Sequence, residues 1–265
     1  MPLLPGWLLL ALVAASAFGQ GRAIPPERAI PLGELRSGSS FLSSELKNTQ
    51  GDDFANPGML WVERGAKLWS TPAGVAGQSC ASCHNDAKTS MKGVAARYPA
   101  FDTKAGRVLN LEGRINQCRT DKQKASAFAP ESEDLLATTA WVAHQSRGMP
   151  VQVAIDGPAR ATYDRGRALY YRRLGQMNLS CAHCHEQNWG RRLLAETITQ
   201  GHGNAYPIYR LEWQTAGSLH RRFRSCLFGV RAEQLPVGAP AFVDLELFLA
   251  WRAQGLPVET PGVRR

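Results

Sequence analysis

At 265 residues, 44% of them hydrophobic, the chain has room for about two ordinary domains and enough apolar material for a core, which excludes disorder throughout. Its formal charge of +9 suits an anionic partner, surface or small anion. No run of five Lys or Arg occurs, which argues against nucleic acid as the main partner.

Residues 1–19 carry no charged side chain and hold an apolar run from Trp7 to Ala15. Ala17-Phe18-Gly19 before Gln20 fits the small-x-small rule for signal-peptide cleavage, so export to the periplasm is expected. The run is too short to span a bilayer comfortably and no later stretch is more apolar, so no membrane span is expected. Residues 20–56 form a polar extension, rich in small residues from Ser37 to Ser44, expected to wrap the surface. A first domain is expected over 57–150, with Gly65 to Trp69 ending one helix and Ser132 to Gln145 forming another behind a capping Ser and acidic residues. Gly148, Pro150, Gly157 and Pro158 mark a linker. A second domain is expected over 151–265, with helices at Asp164–Arg173 and Val243–Ala253 and a docked tail at 261–265. The expected fold class is therefore mostly α, in two tandem domains with long loops wrapped around a bound group.

The cysteines carry that last expectation. Six in an exported chain first suggest three disulfides. The spacing argues otherwise, because Cys80-Ala81-Ser82-Cys83-His84 and Cys181-Ala182-His183-Cys184-His185 both read C-x-x-C-H, the attachment signature of c-type haem. Two thiols on one turn reach the two vinyl groups of the porphyrin, and the following His lies under the ring as an iron ligand. One CxxC alone suits a zinc knuckle or a redox dithiol equally well. Two copies, each followed by His, point to two covalently bound haems c, attached through Cys80, Cys83, Cys181 and Cys184, with His84 and His185 as proximal ligands, and so to two tandem class I cytochrome c-like domains with long loops around the haems.

Cys118 and Cys226 remain. They form either a disulfide or the sixth ligand of each iron, and an internal repeat bears on the choice. Gly65 stands fifteen residues before Cys80, as Gly166 does before Cys181. Tyr98-Pro99 lies twenty before Cys118, as Tyr206-Pro207 does before Cys226, and Arg114 and Arg222 each stand four before their cysteine. The chain reads as a duplication, and equivalent thiols facing their own haems disfavour a bridge between them. Iron also stabilises and occupies a thiolate that export would otherwise oxidise. Methionine is the usual alternative, but only Met149 competes, and its repeat partner is Leu256. Of the other histidines, His183 is expected to face outward and His144 and His220 to sit at the surface or cap, while His202 lies in a flexible loop, Gly201 to Asn204, for which lining the second haem pocket is the minor reading.

The halves differ in charge. Arg210, Arg221, Arg222, Arg224 and Arg231 crowd around Cys226 against one acid, Glu212. Such a run serves either as a solvated basic face or as a clamp for an oxyanion, which arginine grips in a planar, bidentate way.

Arg114-Ile115-x-x-Cys118-Arg119, Ser146-Arg147-Gly148, Leu179-Ser180 leading into the second motif, Tyr206-Pro207-x-Tyr209-Arg210-Leu211-x-Trp213-Gln214 and Arg222-Phe223-Arg224-x-Cys226 together resemble the SoxA family. These are dihaem subunits of the SoxAX cytochrome complex of bacterial thiosulfate oxidation, and the resemblance covers about 58–265. It implies a periplasmic L-cysteine S-thiosulfotransferase, paired as a heterodimer with the monohaem cytochrome SoxX. Thiosulfate is coupled to a cysteine of the carrier SoxYZ as the S-thiosulfonate, and two electrons pass to an acceptor cytochrome c. By match, the active haem lies between His185 and Cys226, the latter often modified to a persulfide in the family. Arg222 falls on the catalytic arginine, and His84 and Cys118 ligate the first haem. Two readings stand beside this one: a dihaem thiosulfate dehydrogenase forming tetrathionate, and a purely electron-transferring dihaem cytochrome.

Overall fold

The computed structural model describes residues 28–265, so the expected signal peptide at 1–19 lies outside the described residues. Helices α1 (Ser44–Gly51), α2 (Met59–Ser70), α3 (Cys80–His84) and α4 (Ala87–Ser90) come first, followed by the hairpin β1 (Ala100–Asp102) and β2 (Arg107–Leu109). Next are α5 (Leu111–Cys118), α6 (Glu133–His144), α7 (Arg160–Tyr171) and α8 (Cys181–His185). The chain closes with the hairpins β3 (Arg192–Leu193) with β4 (Glu196–Thr197) and β5 (Ile208–Arg210) with β6 (Thr215–Gly217), then α9 (Leu219–Gly229), α10 (Pro240–Arg252) and β7 (Gly262–Arg264).

Two helix pairs, α2 on α6 and α7 on α10, organise the molecule. In α2 the buried residues Val62, Gly65 and Trp69 fall on one helical face. Gly65 is required there, because a Cβ would run into the Ala137 carbonyl oxygen and, at 2.6 Å, the Trp141 Cβ of α6. Gly166 does the same work where α7 meets the Asp244 backbone of α10. The larger core gathers Tyr163, Tyr170, Phe242, Phe248 and Trp251 between α7 and α10, and Ala96 and Val108 of the first half join it. A smaller cluster, Trp69, Ala87, Met91 and Val142, sits against Cys80 and Ala81.

Between the helix pairs the two halves repeat the same local structure. Ala100 pairs with Leu109 and Asp102 with Arg107, while Ile208 pairs with Gly217 and Arg210 with Thr215, all at a constant offset of 108 residues. Asn110 then caps α5 through Gly113 N (2.9 Å), and Ser218, 108 residues on, caps α9 through Arg221 N (3.1 Å). Capped this way, the chain turns from the hairpin straight into the helix that carries Cys118 or Cys226.

Ser132 caps α6 through Leu135 N (3.3 Å), within one residue of the expected boundaries. Helix α7 begins at Arg160 instead of Asp164, because a turn at Gly157–Ala159 leads in and Arg160 pairs with Asp164 one turn on (3.0 Å). Helix α10 likewise starts at Pro240, proline being suited to a first turn. The expected docked tail is β7, parallel to β5. The described part of the extension lies on the second half: Ser39 Oγ donates to Glu259 (2.8 Å) and Val263 N donates to Gln50 (3.0 Å). No helix among the described residues is long and apolar enough to cross a membrane.

Candidate functional site

Each CxxCH forms one short helix after a serine. Ser79 Oγ accepts from Ser82 N, and Ser82 Oγ accepts from Ser79 N (both 3.0 Å). In the second motif His183 takes the place of Ser82. Its Nδ1 accepts from Ser180 N (3.1 Å), so this histidine closes a capping box and does not simply face outward. The four thiols of the two motifs are therefore held on ordered turns, and none of the six cysteines is paired in a disulfide.

His84 is exposed, with the Trp69 ring centroid 5.8 Å from its own. His185 is half-buried, and its Nδ1 lies 2.8 Å from the Thr199 carbonyl oxygen. That carbonyl takes the Nδ1 proton and leaves Nε2 as the free donor atom, the usual arrangement of a metal-ligating imidazole. Burial pushes the imidazole down to about 4, with Arg252 and Arg222 adding to the effect, so it stays neutral and able to ligate. Gly201 backs the ring at φ 75°, since a Cβ there would lie 2.7 Å from His185 Cγ.

Cys118 ends α5 and Cys226 lies on α9. Cys118 is close enough to Cys80 to raise its pKa, after the larger effect of burial. Cys226 bears in the same way on Cys181, which burial pushes up to about 12, and on Cys184. Each leftover cysteine thus faces the motif of its own half. Among the described residues no three His, Cys, Asp or Glu side chains converge to hold a bare metal ion. A haem iron needs only two protein ligands, so the donor sets fit haem c. Two buried donors without partners, Trp141 Nε1 beside the first motif and Arg252 Nη2 near the second, also suit a group that brings acceptor oxygens, such as the propionates.

Arg222 and Cys226 are one turn apart on α9 and therefore share a face. Burial works against the Arg222 charge, but Cys226, Tyr206, Glu196 and Glu212 outweigh it and the pKa is raised. Arg222 Nη2 stands 4.0 Å from Glu196 Oε2 and makes no shorter contact to an acceptor among the described residues. Arg210 is 5% exposed and fully engaged: Nη2 lies 2.7 Å from Glu196, Nε lies 2.8 Å from Glu212, and the guanidinium sits over Trp213. The sequence singled out a cluster of arginines; the structure leaves Arg222 with its fork open next to the cysteine. The hairpin of β3 and β4, which brings Glu196, was not legible. Its only signal is that His185 to Tyr206 is seven residues longer than His84 to Tyr98.

His202 lies near His185 and is buried, with Nε2 3.2 Å from Gln200 Oε1. His220 departs from expectation. It is 2% exposed and its Nε2 meets Glu246 Oε2 at 3.1 Å, because α9 turns it inward against α10.

Residues 64–151 match the family model of the SoxA/TsdA cytochrome c domain. The chain is 44% identical to the L-cysteine S-thiosulfotransferase subunit SoxA of Pseudaminobacter salicylatoxidans, over 92% of this chain and 85% of that one. It is 43% identical to the same subunit of Rhodovulum sulfidophilum, over 87% and 80%. The crystal structure of SoxXA from P. pantotrophus superposes with a TM-score of 0.84 at 38% identity, covering 87% of each chain.

Proposed function

The chain belongs to the SoxA family of cytochrome c subunits, and from that premise we propose that it is the catalytic subunit of an L-cysteine S-thiosulfotransferase working with a monohaem SoxX partner. Two haems c are held, one at Cys80, Cys83, His84 and Cys118 and one at Cys181, Cys184, His185 and Cys226. The domains run from 57 to 150 and from 151 to 265, related by duplication. The reading places the chain in the periplasm.

The observation that carries the reaction is the open guanidinium of Arg222 one helical turn from Cys226. Thiosulfate is a small dianion, and a planar fork at a half-buried site binds its sulfonate end by paired, charge-assisted hydrogen bonds. Arg222 orients and partly neutralises it and keeps its own protons throughout. The outer sulfur is then directed toward the exposed Cys226 edge, where the SoxYZ carrier cysteine can enter. One S–S bond forms between the outer sulfur and the carrier thiol, the thiol proton leaves, and two electrons are released. A haem held by Cys181, Cys184 and His185 would supply the sink for those electrons on their way to an acceptor cytochrome c. Cys226, as thiolate or persulfide, would bring an electron-rich sulfur to that group, and His185, its Nδ1 fixed by Thr199, would offer Nε2 as a ligand.

The test is turnover of the haem-loaded complex with thiosulfate and reduced carrier, following cytochrome c reduction and carrier mass. A thiosulfate-sized adduct on the carrier, absent with Arg222→Ala and Cys226→Ala, supports the reading. Because the matching family model spans SoxA and TsdA, tetrathionate made without a carrier would replace it with a dehydrogenase. No thiosulfate-dependent reduction would leave an electron-transfer cytochrome.

A further inference from the structure

The constant offset of 108 residues makes Asp102 and Arg210 equivalent. Each is the last residue of its first hairpin strand, opposite Arg107 or Thr215; Asp102 contacts Arg114, and Arg210 shares Glu196 with Arg222. In the first half the two residues bind each other: Arg114 Nη1 meets Asp102 Oδ2 at 2.8 Å, and Gln117 Nε2 donates to Asp102 Oδ1 at 3.1 Å. Arg114 is thereby paired with an acid through its Nη1.

In the second half the acid is replaced by a base. The acids near Arg222 are now Glu196, on the inserted β3–β4 hairpin, and Glu212, in the β5–β6 turn. Both give their short contacts to Arg210, at 2.7 Å and 2.8 Å, while Arg222 is left at 4.0 Å from the second oxygen of Glu196. Arg210 has no room to touch a substrate itself, since it is 5% exposed and its fork is already occupied. A small side-chain rotation separates the observed state from one in which Glu196 closes on Arg222 as Asp102 closes on Arg114.

We propose that Arg210 is a positioning residue that holds Glu196 and Glu212 off Arg222, keeping that guanidinium open for the sulfonate of thiosulfate. This rests on the thiosulfate reading above and adds to it the residue that makes one half of the molecule an anion site and the other not. Without the Arg210 charge, Glu196 competes with the substrate for the same fork. The loss is then in binding and not in the chemical step, and it depends on the Glu196 charge.

The test is steady-state kinetics of the assembled complex with its monohaem partner, thiosulfate and carrier. Arg210→Gln is expected to raise KM for thiosulfate about tenfold with kcat within about twofold, the pattern of lost ground-state binding. Glu196→Gln added to Arg210→Gln is expected to return KM to within about threefold of wild type, because the competing carboxylate is gone. A residue that merely props up the hairpin would not be rescued by a second change in that hairpin. An unchanged KM in Arg210→Gln, or a loss that Glu196→Gln fails to restore, overturns the proposal. Should Arg210→Gln fail to assemble, judged by its haem spectrum and partner co-purification, Glu196→Gln alone decides. It is expected to lower KM about two- to threefold, and an unchanged or higher KM overturns the proposal. Failure of the underlying reading looks different, because wild type itself would then form no carrier adduct.

Discussion

From Tyr98 to Cys118 and from Tyr206 to Cys226 the chain builds the same hairpin, the same capped turn and the same helix, yet the arginine four before the cysteine ends in different company. Arg114 is closed by Asp102, whereas Arg222 is left open because Arg210 stands where Asp102 would be. The surroundings of the histidine that ends each CxxCH motif diverge as well. His185 is half-buried with Nδ1 fixed by Thr199, while His84 is exposed. One scaffold thus surrounds its two CxxCH motifs differently, and the difference lies in a few charges and one short insertion rather than in the hairpin and helix they share. Function here is grafted onto a repeated frame, and the frame alone does not reveal which copy works.

The largest expected effect comes from making the same change in both copies. Arg222→Ala removes the open fork and is expected to cut kcat/KM for thiosulfate by about a hundredfold, roughly 3 kcal/mol of lost electrostatic stabilisation. Arg114→Ala removes a partly exposed ion pair and is expected to leave turnover within about twofold and to cost less than about 1 kcal/mol of stability. Paired kinetics and denaturant unfolding of the two variants check this. Equal losses of turnover would mean that both copies bind anion and that the charge comparison is wrong.

A second pair of variants tests the sameness of the frame. Gly65→Ala and Gly166→Ala each force a methyl into the backbone of the facing helix, Ala137 in one case and Asp244 in the other. Each is expected to destabilise by about 1–3 kcal/mol, the usual cost of overpacking at a site that cannot give way. Urea midpoints of the two variants are expected to fall together. A tolerant Gly166 would show that the α7 and α10 pair packs with more slack than α2 and α6.

Much of this was legible in the residues, for identifiable reasons. Cysteine spacing is set by covalent chemistry, and the repeat is an equality of numbers, so neither needs packing to be seen. Ser132 and the apolar run behind it located α6 because caps are local. The start of α7 was missed by four residues, since its first turn is led in by Gly157–Ala159 and held by the Arg160–Asp164 pair rather than by a capping side chain. The arginine cluster was visible as composition, but which guanidinium stays open depends on Glu196, fourteen residues from Arg210 and on a hairpin without a turn signature. His220 looked like a surface residue because its helix is strongly basic, and only the fold turns it onto Glu246.

That inward turn creates the smallest and most specific contrast, where the two repeats meet. Glu112 and His220 are equivalent positions, each six before its cysteine, and both border a cavity of about 90 Å³ with Asn110, Tyr98, Tyr206 and Glu246. His220 Nδ1 accepts from Gly238 N (3.1 Å), so Nε2 carries the proton and donates to Glu246, whose same oxygen also accepts from Asn110 Nδ2 (3.0 Å). Glu246 Oε2 thus has two donors, while the Glu112 side chain has no hydrogen-bond partner among the described residues. Burial, then the charge of Glu246, push the Glu112 carboxyl up from its usual 4.5 to about 8, with Glu131 adding to the rise and His220 opposing it. The folded state therefore holds this proton more tightly than the unfolded chain. Its contribution to stability is full below about pH 4.5, falls as pH rises, and is lost above about pH 8. Glu112→Gln keeps the shape and removes the proton equilibrium, so it is expected to raise the melting temperature by a few degrees at pH 9 and to leave it nearly unchanged at pH 4.5. Thermal melts of both proteins across that range decide it. Parallel curves would show that Glu112 reaches water, and that the seam between the two copies is better solvated than its buried charges require.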